Sequence, residues 1–158
     1  MDSKADSKAT QHSSAPRRTK DKILDTALRL FNELGEPHVT TTTIAEDMGI
    51  SPGNLYYHYR NKDDIINSIF NQFEVAIDRR LRLPEDHRLT LEEAWSYMQY
   101  LTEYLWQYRF LYRDINDLLA RNRTLEIHFK RIVERKMRFA QEMCKVFAED
   151  GEFVANDL

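Results

Sequence analysis

The spacing of apolar residues along the chain is that of a helical protein. From Thr19 onward, apolar side chains recur every three or four residues, as they do on one face of a helix. The first such stripe stops before Gly35 and consists of Ile23, Ala27, Leu30, Phe31 and Leu34. A later stripe, which continues to about Leu81, consists of Ile66, Phe70, Phe73 and Ile77. The pattern predicts an all-α fold.

Two short helices are predicted between these stripes. The hydroxyls of Thr40–Thr43 are suited to capping a helix that ends at Gly49, and Ser51 followed by Pro52 is a typical start of the next one. Because only residues 49–51 join the two helices, they must cross steeply, which is the helix-turn-helix arrangement.

A second helical region follows a polar stretch around Pro84, which we interpret as the domain junction. Thr90–Glu93 has the sequence of a capping box, with Leu89 and Ala94 as its hydrophobic staple, and opens a helix to about Arg109. Helices are then predicted over 110–121 and 124–148. The apolar stripe of the last one is Phe129, Val133, Met137, Ala140, Cys144 and Phe147.

These boundaries divide the chain into three parts. Residues 1–18 are polar and without period, so we expect a disordered tail. A three-helix helix-turn-helix domain with a connecting fourth helix is predicted over 19–82, and a helical domain over 83–158.

Composition supports a helical protein of the cytoplasm. Four glycines and four prolines among 158 residues are too few for a turn-rich β fold. The one cysteine, Cys144, is expected to be a buried structural thiol. We find no signal peptide and no apolar run of the roughly 18 residues that a membrane span needs, so no membrane partner is expected.

Catalysis is not indicated. The five histidines are scattered, without an HExxH pair or a cysteine at metal-binding spacing. Gly-rich phosphate loops and nucleophile elbows are absent from the sequence as well. We therefore expect no enzyme, no metal site and no cofactor.

The predicted third helix has a surface suited to nucleic acid. The chain has a net charge of −3, yet residues 49–62 contain Arg60 and Lys62 and no acidic residue. If Leu55 and Tyr59 pack inward, the outward side chains are those of Gly53, Asn54, Tyr57 and His58.

Each of these residue types has a use in a DNA major groove. Gly53 permits close backbone approach, Asn54 can pair with an adenine edge, and Tyr57 offers a ring or a hydroxyl. Tyr56 and His58 can donate to phosphates, and Lys62 adds a point charge at the start of the fourth helix.

Plainer interpretations stay open at this point. The acid-free stretch can be a chance gap between solvated charges, and Tyr56 and Tyr59 can both be core aromatics. A partly buried His58 can bond to backbone instead of phosphate. The basic residues Arg17, Arg18 and Lys20 suit a minor-groove arm, but they are equally compatible with a solvated tail.

Residues 20–70 resemble the N-terminal DNA-binding domain of the TetR/AcrR family of bacterial transcriptional regulators. The resemblance rests on an ordered set of short motifs: the first apolar stripe, Gly35, the threonine run, Ile44-Ala45, Gly49-Ile50-Ser51, Gly53, Leu55-Tyr56, His58-Tyr59 and Asn61-Lys62. Val39 departs from the family pattern, which commonly has threonine there.

The resemblance implies a set of DNA-contacting residues. They are Thr40, Thr42, Ser51, Gly53, Asn54, Tyr56, Tyr57, His58 and Lys62. Among them, Asn54 and Tyr57 would read bases, while Tyr56, His58 and Lys62 would hold phosphates. Double-stranded DNA is thus the expected partner.

By the same resemblance, residues 83–158 would bind an effector and dimerise. Eight aromatic residues between Trp95 and Tyr112 favour a pocket for a small apolar ligand. Its candidate lining is Trp95, Met98, Leu101, Leu105 and Tyr108, although their helical spacing equally fits plain core. This region is short compared with that of typical family members.

The function implied is that of a ligand-responsive repressor that binds a palindromic operator as a homodimer, with half-sites about 34 Å apart. A helical interaction module of the same fold that does not bind DNA is the alternative. Such a module would have no salt-sensitive affinity for a duplex.

Overall fold

The computed structural model describes residues 14–80 and 90–149. Within these ranges the chain is all-α, as predicted, with eight α-helices, one 3₁₀ turn and no strand. The helices are α1 (Ser14–Leu34), α2 (Thr41–Asp47), α3 (Pro52–His58), α4 (Lys62–Arg80), α5 (Leu91–Gln107), α6 (Arg109–Arg113), α7 (Ile115–Arg121) and α8 (Arg123–Glu149); the 3₁₀ turn is Glu36–His38. None of the helices in the described ranges is long and apolar enough to cross a membrane.

The chain divides into two compact units, an N-terminal unit of residues 1–65 and a C-terminal unit of residues 66–158. This division lies inside α4. The junction predicted near Pro84 lies outside the described residues, and so do residues 1–13 of the predicted tail. Residues 14–18 of that tail belong to α1, because Ala15 and the two arginines favour helix and Pro16 is tolerated in a first turn.

Local signals in the sequence determine the boundaries of the short helices. Gly35 and Gly49 have φ angles of 91° and 65°, the left-handed region that glycine enters at little cost. The Thr40 hydroxyl accepts a hydrogen bond from Thr43 N at 3.1 Å, and the Ser51 hydroxyl accepts one from Asn54 N at 3.2 Å. The predicted caps of α2 and α3 are confirmed.

The core of the N-terminal unit contains most of the predicted side chains. Its fully buried apolar residues are Ile23, Ala27, Phe31, Val39, Ile44, Ala45, Leu55 and Ile65. Leu34, at the end of the predicted first stripe, is 53% exposed. It is the last residue of α1, where the chain turns away at Gly35, so that prediction was wrong.

The C-terminal unit buries aromatic and aliphatic residues of several helices. Phe70, Phe73 and Ile77 of α4 are buried as predicted, and the Phe73 ring lies 5.2 Å from that of Tyr108. The Thr90 capping box is confirmed: Thr90 Oγ1 accepts from Glu93 N at 3.2 Å, and Glu93 Oε2 accepts from Thr90 N at 2.9 Å. Leu89, the other half of the predicted staple, lies outside the described residues.

The single helix predicted over 110–121 is wrong, because the structure has two helices there. Asp114 separates α6 from α7 with φ −106° and ψ 18°, outside the helical region. Its backbone N–H still donates to Phe110 O at 3.0 Å, and its carbonyl accepts from Leu118 N at 3.1 Å. The apolar periodicity crosses this interruption, which explains why the pattern did not show it.

The predicted inward face of α8 is wrong for most of its residues, although the ring centroid of the half-buried Phe129 lies 6.4 Å from that of Phe70. The side chain of Phe147 lies outside the described ones. Leu125 and Ile132 are buried, whereas Val133, Met137 and Cys144 are exposed. Cys144 is therefore not a buried structural thiol. The physical reason is that His128, Arg135 and Lys136 lie at partly buried positions of α8. When polar side chains occupy partly buried positions, the apolar residues of a helix do not show which of its faces points inward.

Candidate nucleic-acid interface

The second and third helices form a compact pair held by side-chain hydroxyls. Helix α2 packs on α1 and on α3. The hydroxyls of Thr41 and Tyr56 lie 3.0 Å apart, so one bond joins the two short helices directly. Arg29 of α1 also pairs with Asp47 at the end of α2, and this bond is the main cause that raises the pKa of Arg29. The orientation of α3 thus depends on contacts that reach back to α1.

Helix α3 separates its residues into an inner and an outer face as the pattern predicts. Leu55 and Tyr59 are buried. Tyr57 is 81% exposed and is the most exposed large apolar side chain among those described. Its ring meets that of His58 edge-on, with the centroids 5.1 Å apart. Asn54 and Tyr56 are exposed as well, so α3 presents an uncharged polar surface outward.

Gly53 lies at the second position of α3 with nothing packed against it. A Cβ atom built there would meet only Ser51 Oγ, at 3.9 Å, which is an ordinary contact. The fold therefore does not need a glycine at this position. A glycine costs helix stability compared with alanine, so its presence suits a close approach by another molecule.

Two of the predicted hydroxyl contacts already have structural roles. Thr40 and Ser51 use their hydroxyl oxygens as acceptors in caps, although both residues are exposed. Thr42 is exposed on the first turn of α2. The structure thus places the predicted residues from 40 to 58 on or beside the two short helices.

Lys62, which was predicted to contact a phosphate, lies against acceptors of the protein itself. Its ammonium lies 2.8 Å from the Glu36 carboxylate and 2.9 Å from Val39 O. Glu36 itself is buried, and it was not expected in the site because it lies in a short Gly-Glu-Pro connection that looks like an ordinary surface turn. Thr41, the partner of Tyr56, was missed as well. Neither residue belongs to a periodic pattern that would have revealed it.

The predicted ligand-pocket residues are not brought together. A surface groove of about 350 Å³ is lined by residues of α5 alone: Trp95, Met98, Gln99, Thr102 and Glu103. Leu101 and Leu105 are half-buried elsewhere on α5. Tyr108 is buried against Phe73. Of the five predicted residues, only Trp95 and Met98 line this groove.

Two aromatic rings lie close to a lysine in the C-terminal unit. The Lys136 ammonium lies 5.3 Å from the ring centroid of Phe73 and 5.5 Å from that of Tyr112, and it donates to the Tyr112 hydroxyl at 3.0 Å. Burial lowers the pKa of Lys136 and raises the pKa of Tyr104 and Tyr112. At neutral pH both phenols keep their protons.

A buried carboxylate joins α4 to α8 in the same unit. Glu74 accepts a hydrogen bond from Arg135 and lies 2.7 Å from His128 Nδ1, while Arg135 Nε lies 3.1 Å from Asp78. Burial opposes ionisation of Glu74, but the bonds to Arg135 and His128 outweigh it and lower the pKa overall. Across the described ranges, no three His, Cys, Asp or Glu side chains are arranged to hold a metal ion.

Comparison with known protein families matches both units. Residues 23–69 match the family model described as bacterial regulatory proteins, tetR family. Residues 72–158 match the model described as bacterial transcriptional repressor, TetR. The chain belongs to the TetR family. The two models meet within α4, close to the division between the two compact units.

Individual relatives named as transcriptional regulators match parts of the chain. A Staphylococcus epidermidis protein, the biofilm operon icaADBC HTH-type negative transcriptional regulator IcaR, is 42% identical over 69 residues, which are 43% of this chain and 37% of that protein. The HTH-type transcriptional regulator TtgR of Pseudomonas putida is 25% identical over 128 residues, 81% of this chain and 55% of its own. The chain thus spans between about a third and a half of the length of these curated relatives.

A solved structure extends the similarity to most of the chain. It is that of a TetR-family transcriptional regulator from Marinobacter aquaeolei VT8, with 39% sequence identity and a TM-score of 0.84. The match covers 89% of this chain and 68% of that one. The architecture of the described helices is therefore that of the TetR family.

Proposed function

We propose that this TetR-family chain is a DNA-binding transcriptional regulator that represses its target genes. The observation that carries the proposal is the two-sided α3, which buries Leu55 and Tyr59 and exposes Asn54 and Tyr57. Support comes from the tetR family model that matches residues 23–69 and from relatives named as regulators, one of them as a negative regulator. A regulator of this kind acts in the cytoplasm, where the DNA is, and needs no catalytic group.

In the proposed complex, α3 enters the major groove by its N-terminal end. Asn54 and Tyr57 read base edges, and Gly53 lets the backbone come close. Tyr56 and His58 donate to phosphates, together with Thr42 and the exposed first turns of α2 and α3. Most of these groups are uncharged, so base contacts and hydrogen bonds contribute more here than in strongly basic proteins.

One copy of α3 is too short to specify an operator alone. Seven helical residues span only about 10 Å, enough for a few base pairs. We infer that two copies bind a palindromic site as a homodimer, with half-site centres about 34 Å or a multiple of that apart. A small apolar effector that binds the C-terminal unit in one conformation better than in the other would release the DNA. The groove beside Trp95 and Met98 is the candidate entry point for such an effector.

Selection of bound duplexes from a random pool tests the proposal. We expect one recovered sequence with two-fold symmetry. The variant Tyr57→Ala should then lose about 1–3 kcal/mol of preference for the recovered site over random duplex, while its free energy of unfolding stays unchanged because Tyr57 is exposed.

Trp106→Ala is the matched control, because Trp106 is an aromatic residue that is 70% exposed in the C-terminal unit. It should leave the preference unchanged. Equal losses on selected and random duplex in Tyr57→Ala would contradict the base-reading role. Failure of the unmodified chain to bind any duplex at low salt would favour the interaction module without DNA binding.

A further inference from the structure

The ammonium group of Lys62 is surrounded by acceptors of the protein itself. Its Nζ atom lies 2.8 Å from Glu36 Oε1, 3.1 Å from Glu36 O and 2.9 Å from Val39 O. An ammonium carries three protons and has no acceptor capacity. The two backbone carbonyls accept hydrogen bonds from it, and the carboxylate oxygen pairs with its charge.

Burial makes these contacts costly to exchange for others. The Glu36 side chain is 2% exposed and that of Lys62 is 23% exposed. A carboxylate in such a place is stable only when it is paired, and removing its partner leaves a buried charge uncompensated. A Lys62 side chain that turned outward to a phosphate would leave Glu36 in that state.

The contacts join two segments at the edges of the helix-turn-helix. Glu36 is the first residue of the 3₁₀ turn, and Val39 is the residue that follows this turn. Thr40, which caps α2, comes directly after Val39. Lys62 is the first residue of α4, and three residues separate it from the end of α3. The Lys62–Glu36 pair therefore holds the entry to α2 against the exit from α3.

We infer that Lys62 is a positioning residue of the DNA interface: it fixes the ends of the α2–α3 pair through Glu36 and Val39 and does not hold a phosphate. The inference rests on the proposed function. It replaces the phosphate contact that the resemblance to the family implies for Lys62. Affinity then depends on Lys62 through the orientation of Asn54 and Tyr57, and not through its charge.

The salt dependence of binding separates the two roles. Loss of a phosphate contact makes the negative slope of log K against log salt concentration less steep by about one unit and weakens binding to all duplexes alike. Loss of a positioning residue leaves the slope unchanged and weakens the selected duplex more than random duplex, because only base contacts need α3 in register.

The double variant Glu36→Gln/Lys62→Met is the test, since it removes both charges and leaves neither one buried alone. We expect the slope of the unmodified chain, a loss on the order of tenfold on the selected duplex, and little loss on random duplex. Lys62→Met alone should show the same pattern with a larger loss of stability. A slope less steep by about one unit in the double variant would overturn the inference.

A second Lys–Glu pair provides the matched control. Lys130 Nζ lies 2.7 Å from Glu126 Oε1 on the exposed side of α8, in the C-terminal unit. Glu126→Gln/Lys130→Met removes the same two charges and should change neither the slope nor the preference.

Hydrogen exchange of the same proteins tests the positioning without DNA. In the Glu36→Gln/Lys62→Met variant, amides of residues 36–47 and of α3 should exchange faster, and those of α8 should not. Unchanged exchange in α2 and α3 would overturn the inference whatever the binding results. If the unmodified chain binds no duplex but the exchange differs as expected, the proposed function fails and the structural role of Lys62 stands.

Discussion

The two units differ in where their polar side chains lie. In the N-terminal unit the outer face of α3 carries polar groups, and among residues 18–65 the core is apolar apart from Glu36 at the 3₁₀ turn. In the C-terminal unit, polar groups such as Glu74, Asn122 and Arg135 are buried or partly buried between helices. An apolar stripe therefore locates the interior of the first unit correctly and misplaces part of the second.

The largest expected effect comes from the buried carboxylate of the C-terminal unit. Glu74→Ala leaves Arg135 and His128 without their shared acceptor. We expect a loss of roughly 2–3 kcal/mol in the free energy of unfolding, below the usual range for buried pairs because Arg135 stays one-third exposed. Chemical denaturation measures it. Glu134→Ala, which removes an exposed carboxylate of α8, should cost almost nothing.

The same variant has a defined pH dependence. The pKa of Glu74 is lowered in the folded chain from its ordinary value of 4.5, so its ionised form stabilises the fold above that pH. The difference between the unmodified chain and Glu74→Ala should be constant near neutral pH and shrink as the pH falls below 4.5 and through the lower folded pKa. A difference that grew with acid would mean that Glu74 is not ion-paired.

Two capping threonines give a sharper comparison of the units. Thr40 and Thr90 both form capping boxes, so Thr40→Ala and Thr90→Ala should each cost about 1 kcal/mol of stability. Only Thr40→Ala should also weaken duplex binding. Thr102→Ala is the control, since the Thr102 hydroxyl donates to Met98 O within α5 and caps nothing. Equal effects of Thr40→Ala and Thr90→Ala on binding would remove the functional distinction between the units.

Effects no larger than those of the caps are expected at the two glycines of the helix-turn-helix. Gly53→Ala should stabilise the chain by a few tenths of a kcal/mol up to about 1 kcal/mol while it weakens duplex binding. Gly49→Ala should destabilise it, by about 1 kcal/mol, because Gly49 has a φ of 65°. Unfolding and binding titrations on both variants measure these changes. Tighter binding by Gly53→Ala would show that no molecule approaches the backbone there.

The predictability of the N-terminal unit follows from the short range of its signals. The caps at Thr40 and Ser51 and the turn at Gly49 each involve residues within three or four positions of one another. The alternation of Leu55 and Tyr59 with Tyr57 likewise determines which face of α3 is exposed. Residues of this kind can be recognised from a single sequence.

The missed features depend on pairs that are distant in the sequence. Glu36 and Lys62 are 26 residues apart, and Glu74 and His128 are 54 apart. Each residue alone is an ordinary charged residue that a pattern assigns to the surface. Only the fold brings the partners together, and it thereby partly buries His128 and Arg135 of α8. The five residues predicted to line a pocket lie apart in the structure for a related reason, because helical spacing cannot distinguish an exposed Trp95 from a buried Tyr108.

The lysine that lies against Phe73 and Tyr112 has a practical consequence for experiments in solution. Ring currents shift the resonances of protons close to an aromatic ring, so the ε-methylene of Lys136 should resonate away from the lysines that are freely solvated. That signal would return to its usual position whenever the rings move apart. A single NMR resonance can thus report whether Lys136 stays beside the rings while a compound is titrated.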